Sequence, residues 1–358
     1  MKKILLITLQ SDNIGNRLQN YALQETLKSM GCEVWTPYME VPEWNTIKKR
    51  IKNCMRAVLY KVGRQNYKNA YFRLRRICKY ASFNRKYIDH LFKLRYQDAF
   101  KKKYDDFKFA VVGSDQVWHK WTDNKSELDY YYLKFVQEEK RISYAPSFGF
   151  EDIPMDDKAI HINGLLGMKA LSCRELSARD IIKRYTGRDA KLVLDPTLLI
   201  DKESWLRLEK KSGLYKNKPY ILIYYLGTKD DEYLRIINEV AVNNNLDIID
   251  AFDAGNLESF LTTPDEFIWL VHNAEYICTD SFHATVFSII FEKKFLTFKR
   301  KEIGMEEMFG RIETLLSFVG LEERIYSGDI AQLYKEYVNK SINGLQKDSY
   351  NYLKNAIS

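Results

Sequence analysis

Residues 275–295 read EYICTDSFHATVFSIIFEKKF, and this stretch decides the fold. Tyr276-Ile277-Cys278 is a short apolar run that breaks on Thr279-Asp280-Ser281. Val286, Phe287, Ile289 and Ile290 then recur at helical spacing, and Lys293-Lys294 stand where cations favour a helix C-terminus. A buried strand that ends on polar residues and turns directly into a helix is the unit of an open parallel α/β sheet. Ser281 is of the right type to cap the helix, leaving first-turn amides open to a phosphate or carboxylate. His283 falls in that first turn, where an imidazole donates a hydrogen bond or moves a proton. The same residues also suit a capped helix with a solvated histidine, and both readings stay open on this stretch alone.

The unit recurs on both sides. Ile4 to Leu9 predict a strand, QSDNIGNRLQ a loop, RLQNYALQETLKSMG a helix stopped by Gly31, and CEVWTPY a returning strand. Further apolar runs with polar ends follow at FKFAVVGSDQVW, RISYAPSFG, MKALSCREL and AKLVLDPTLL. A second series begins at YILIYYLG and runs through DEYLRIINEVAVNNN, LDIIDAF, a helix around TPDEFIWLVHNA, the opening stretch and KFLTF. The expectation is α/β, with two Rossmann-like domains across a cleft. The first spans 1–200, a charged connector 201–219, the second 220–330, and a helical tail 331–358 is placed to cross back to the first. Residues 43–104 break the rhythm and read as two or three amphipathic helices inserted into the first domain.

Composition narrows the function classes. Five cysteines without a CxxC pair argue against a structural zinc site or a disulfide framework, and the five histidines lack metal-ligand spacing. No metal is expected. MKKILLITLQ meets Gln10, Ser11 and Asp12 too early for a signal-peptide core. No run approaches the ~20 apolar residues of a membrane helix, so a cytoplasmic protein is expected. The chain is +8 overall, yet residues 48–103 hold nineteen Lys/Arg against Asp89 and Asp98, a local +17 that leaves the remainder at −9.

Several loops offer site residues. Gly113 permits close ligand approach, Asp115 and Gln116 suit sugar hydroxyls, and Trp118 suits the face of a sugar. Asn13, Gly15, Asn16, Arg17 and Asn20 lie at another loop-to-helix junction with anion-binding potential. Arg174, at a strand end, fits a phosphate or carboxylate, or a salt bridge to Glu175 or Asp180; Arg311 has the same chemistry at a helix start. Asp195 and Asp280 read as helix caps. GxGxxG, Walker, HExxH, GxSxG and DxD patterns are absent.

DNIGNRLQNYALQ, VVGSDQVW, SYAPSFG, LSCREL, LDPTLL and TDSFHATVFSIIF stand in this order over nearly the whole chain. Together they resemble the polysaccharide pyruvyl transferase family. The resemblance implies a GT-B-like arrangement with the acceptor on the first domain and the donor on the second. It implies transfer of the enolpyruvyl unit of phosphoenolpyruvate to a sugar of a surface or exopolysaccharide precursor, forming a pyruvate ketal, with no further cofactor. Ser281, Phe282, His283 and Ala284 match the family's Arg-Leu-His-Ala-type motif: His283 resembles its acid or donor-binding residue, and Ser281 stands in place of its arginine. Arg174 is similar to the family's strand-end arginine. Gly113, Ser114 and Asp115 match the glycine-rich acidic loop, with Asp115 the candidate base. Asn13, Gly15 and Asn16 match the first loop, where many members have Gly-Asp. A lipid-linked glycan acceptor is implied, and 48–103 then suits contact with an anionic membrane; no nucleic-acid motif accompanies its charge. A nucleotide-sugar glycosyltransferase and a catalytically silent glycan-binding relative are the alternatives.

Overall fold

A computed structural model describes residues 1–10, 13–38, 47–122, 124, 126–302, 309–336 and 342–358, without the side chains of 47, 49 and 50. The first domain is built on strands β1 (Lys2–Ile7), β2 (Cys32–Tyr38), β3 (Leu91–Lys93), β4 (Phe109–Val112) and β5 (Arg141–Ser143), in the order β3-β2-β1-β4-β5. All pair in parallel. Strands β6 (Ser172–Cys173) and β7 (Lys191–Leu192) form a parallel pair that a bridge from Ile142 to Ala170 joins to β5. The second domain carries β8 (Tyr220–Tyr224), β9 (Asp247–Asp250), β10 (Tyr276–Thr279) and β11 (Lys294–Thr297), again parallel, in the order β11-β10-β8-β9. The order reverses beside β1 in one sheet and beside β8 in the other, so each has a switch point at its C-terminal end, where such sheets take ligands.

The domains share a core. Helix α1 (Ile14–Ser29) sends Ile14, Leu18 and Ala22 into one apolar cluster with Phe282, Ala284 and Phe287 of the helix Phe282–Ile290. Strand-end loops of both domains therefore face each other across packed side chains.

Three regions differ from the sequence expectation. The insertion is not helical throughout: after α2 (Ile47–Lys61) and α3 (Lys68–Tyr87), Leu91–Lys93 returns as β3 and pairs with β2. Its apolar residues are too few to show a period, and Phe92 finds its partner in Trp35 of β2. α3 also docks on the second domain. Arg76 is buried, bonded to Phe260 O and Tyr80 Oη, with its guanidinium over the Tyr80, Phe252 and Phe260 rings. The charged connector contributes core, because Trp205 is fully buried, edge-on to Phe287 at 4.8 Å. The helix Asn343–Ala356 does return to the first domain, where Leu353, Ala356 and Ile357 pack with Ile4 and Leu6.

Candidate active site

The site is assembled from loops that follow β4, β6, β7 and β10 and from two helix starts. Asp115 follows β4 after Gly113, whose φ of 125° and closeness to Tyr144 O, 2.0 Å from where a Cβ would stand, admit only glycine. Arg174 follows β6. Its Nη2 donates to Asp115 Oδ1 at 2.7 Å and its Nη1 to Asp195 Oδ2 at 2.8 Å, while Nε lies 3.7 Å from Glu175 Oε2. The anion-binding arginine read from the sequence thus has its fork occupied by two carboxylates of the protein, and its guanidinium lies 4.3 Å over the Phe282 ring. Arg311 reaches Asp115 Oδ1 at 3.4 Å and lies 5.8 Å over the same ring.

Asp195 is more than the cap its sequence position indicates. Oδ1 accepts from the N–H and hydroxyl of Thr197, and Oδ2 accepts from Ser114 Oγ as well as Arg174. His283 Nε2 stands 3.8 Å from that Oδ2, is buried, and has no hydrogen-bond partner among the described residues. The opposite edge of the ring abuts α1: a Cβ on Gly15 would lie 2.1 Å from His283 Nδ1. Gly15 is therefore the first-domain surface on which the second-domain histidine rests. Asn13 caps α1 by accepting from Gly15 N at 2.7 Å, and the next residue, Asn16, donates from Nδ2 to Asp115 Oδ2.

Ser281 caps its helix, accepting from Ala284 N at 3.5 Å. Phe282 and His283 carry amides with no acceptor one turn back within the helix, but Ser281, Phe282, His283 and Ala284 are all buried. The helix start is closed against the first domain rather than open to a water-filled cleft. Gln116 turns its side chain onto Gly149, against which its Nε2 abuts, and its backbone carbonyl accepts from Trp121 Nε1. Trp118 is fully buried and stacked on Tyr132 at 5.4 Å, so it offers no face to a sugar. Burial has converted an apparent binding aromatic into core.

Charge sets the protonation states. Burial pushes the Asp115 carboxyl up, but Arg174, His283 and Arg311 outweigh it and hold it at about 2. A carboxylate held that low is a weak base. Burial lowers the His283 pKa against the pull of Asp195 and Asp115, so the ring is neutral at pH 7. Burial, with Arg174 nearby, brings Arg311 down to about 10, which leaves it cationic. Burial raises the Glu175 pKa despite Arg174 and Arg311. Glu175 and Asp195 are the site carboxylates that sequence reasoning undervalued; only their strand-end positions in LSCREL and LDPTLL signalled them. Among the described residues, no group of three or more His, Cys, Asp or Glu is arranged to hold a metal.

Both domains contribute to one buried, charged constellation at their junction, the arrangement of a two-domain α/β transferase. The chain belongs to the polysaccharide pyruvyl transferase family, whose model matches residues 13–302 and so takes in every residue of this cluster except Arg311. Among curated proteins none matches the chain in sequence. Solved structures with similar backbones include S. aureus MnaA bound to UDP, 10% identical, covering 99% of this chain and 96% of that one, with a TM-score of 0.48. UDP-GlcNAc 2-epimerase from Neisseria meningitidis bound to UDP-GlcNAc is 8% identical, covering 99% of both chains, with a TM-score of 0.47. Acinetobacter baumannii MurG is 9% identical, covering 100% and 94%, with a TM-score of 0.41. At this level the likenesses carry no functional argument.

Proposed function

We propose that the chain transfers the enolpyruvyl group of phosphoenolpyruvate to a sugar of a surface polysaccharide precursor and closes it as a pyruvate ketal. The observation that carries this reading is His283: a buried, neutral imidazole with an unpartnered Nε2, held between Gly15 of one domain and Asp195 beside two arginines. In the reaction a sugar hydroxyl adds to C2 of the donor while C3 takes a proton. A second hydroxyl then displaces phosphate from C2. The donor is an anion, and its charge beside His283 raises the imidazole pKa, so donor binding itself loads the proton that C3 needs. Arg311 and the first-turn amides of Phe282 and His283 are the donor contacts in this scheme. Arg174 holds Asp115 and Asp195 in place, and Asp115, at about 2, orients Asn16 and the arginines rather than abstracting a proton.

Because the cluster is almost free of solvent, substrate entry in this scheme parts the two domains at the contact between Gly15 and His283. A donor made inside cells goes with a cytoplasmic reaction, and the glycan acceptor with delivery on a lipid carrier. The nucleotide-sugar alternative finds less support. The amides after β8 are not open to a diphosphate: Asp280 accepts from Leu226 N at 2.7 Å and Gly227 N at 2.8 Å, and Glu302 accepts from Thr228 N. The test is phosphate release from phosphoenolpyruvate in the presence of candidate glycan acceptors, with mass spectrometry for the ketal. Release that is lost in His283→Gln supports the reading. Release that persists in that variant, or thermal stabilisation by a nucleotide-sugar and not by phosphoenolpyruvate, overturns it.

A further inference from the structure

The exposed face of α2 has no partner within the described chain. Ile51, Met55 and Val58, with Val62 in the turn just past the helix, are 55, 61, 59 and 70% exposed, and their spacing of four, three and four places them on one stripe. Leu59 and Cys54 border it. The opposite face is the packed one: Ala57 is buried with Tyr71 and Phe72, and Tyr60 stacks on Tyr71 at 5.1 Å. The stripe is thus not a helix waiting for its own domain, because α2 already buries its other side on α3.

Charge identifies the occupant. Residues 47–88 contain fourteen Lys/Arg and no Asp or Glu. Lys48, Lys52, Lys61 and Arg64 are exposed around the stripe. A second copy docked through this face would bring two all-basic rims together, which is repulsive. Nucleic acid would meet the charge but find no aromatic in the stripe to stack on a base. An amphipathic helix with an apolar face and Lys/Arg on its flanks fits the headgroup boundary of an anionic bilayer: the face enters the acyl edge and the cations meet lipid phosphates.

We infer that α2 is an interfacial anchor that seats the protein on an anionic membrane surface, with Ile51, Met55, Val58 and Val62 inserted. The rest of the basic segment has other work, since α3 is docked on the second domain and Leu91–Lys93 belongs to the first sheet. The inference rests on this face alone and stands whether or not the reaction is pyruvyl transfer.

Flotation of the full chain with phosphatidylcholine vesicles, with and without phosphatidylglycerol, tests it. The expected result is binding to the anionic vesicles that falls by at least about tenfold in Met55→Glu/Val58→Glu. Binding also falls with added salt and in Lys48→Gln/Lys52→Gln. The Glu substitutions fall on exposed positions, so their melting curves should match the parent. As a measurement without an apolar-face variant, an environment-sensitive dye on Cys54, in a Cys78→Ser background, shifts to the blue on anionic vesicles. Flotation that is equal in the double Glu variant, or a dye that does not respond, overturns the inference. So does a dimer without lipid that the double Glu variant dissolves, which assigns the face to a second copy.

Discussion

At the C-terminal end of the second sheet the protein answers its own backbone. Asp280 accepts from Leu226 N and Gly227 N and pairs with Arg300 Nε at 2.8 Å. Where the strand ends of the first domain meet the helix after Ser281, the groups are just as buried. Arg174 is shared between Asp115 and Asp195, Arg311 makes a long contact to the same Asp115, and His283 Nε2 faces Asp195 without bonding to it. Both ends sit at switch points of parallel sheets, where a crevice is expected. The difference lies in His283, whose Nε2 has no hydrogen-bond partner among the described residues. A loop whose amides are closed by internal carboxylates is a structural device, whereas the cluster with the unpartnered imidazole is where the proposed donor would bind.

The sharpest way to break this comparison is Arg174→Met. Two buried carboxylates would lose their counter-charge, and the fold should lose about 3–5 kcal/mol in chemical denaturation. A loss under ~1 kcal/mol would mean that the cluster is not held by that arginine. Asp280→Ala should cost about 1–3 kcal/mol through its unpaired amides and Arg300, while the phosphoenolpyruvate affinity stays within about twofold if that end is purely structural. A large change in affinity there would extend the donor site to the loop after β8.

Gly15→Ala probes the contact between the domains. The methyl would overlap the His283 ring, so overpacking of about 1–3 kcal/mol is expected, with a greater loss of turnover than of donor binding. Unchanged turnover would mean that the ring need not rest on α1. The smallest effect is on pH dependence. The folded pKa of Asp115 lies below its usual 3.8, so its stabilisation is complete above about 4 and lost as pH falls towards 2. His283 is also depressed, so its contribution is complete above about 6.5 and declines as pH falls below that. Asp115→Asn should flatten the first decline and His283→Gln the second, in melting temperatures measured from about pH 2 to 8. Identical slopes in parent and variants would show that these groups are not in the charged surroundings described.

Much of the fold was legible because period and end chemistry are local. The strands of both sheets other than β3, α1 with its stop at Gly31, and the helix after Ser281 followed from apolar spacing and cap residues. The same motifs carried the family resemblance, which the match over residues 13–302 bears out. β3 was missed because three residues show no period, and the core role of Trp205 because the charges around it dominated the composition. In the site, His283, Asp115 and Arg174 were recognisable as chemistry-bearing residues at strand ends. Their partners were not, since Arg174 to Asp195 spans 21 residues and Gly15 to His283 spans 268.

By itself the sequence determined two parallel α/β units, the residue types at their strand ends and a strongly basic insertion, because each depends on neighbours a few positions apart. Tertiary structure decided the rest: that Arg174 is neutralised by two carboxylates, that Trp118 is core, that α3 bridges the domains while α2 keeps an apolar face outward, and that His283 is neutral. Burial and long-range pairing set those outcomes, and both arise only when distant segments share one low-dielectric interior.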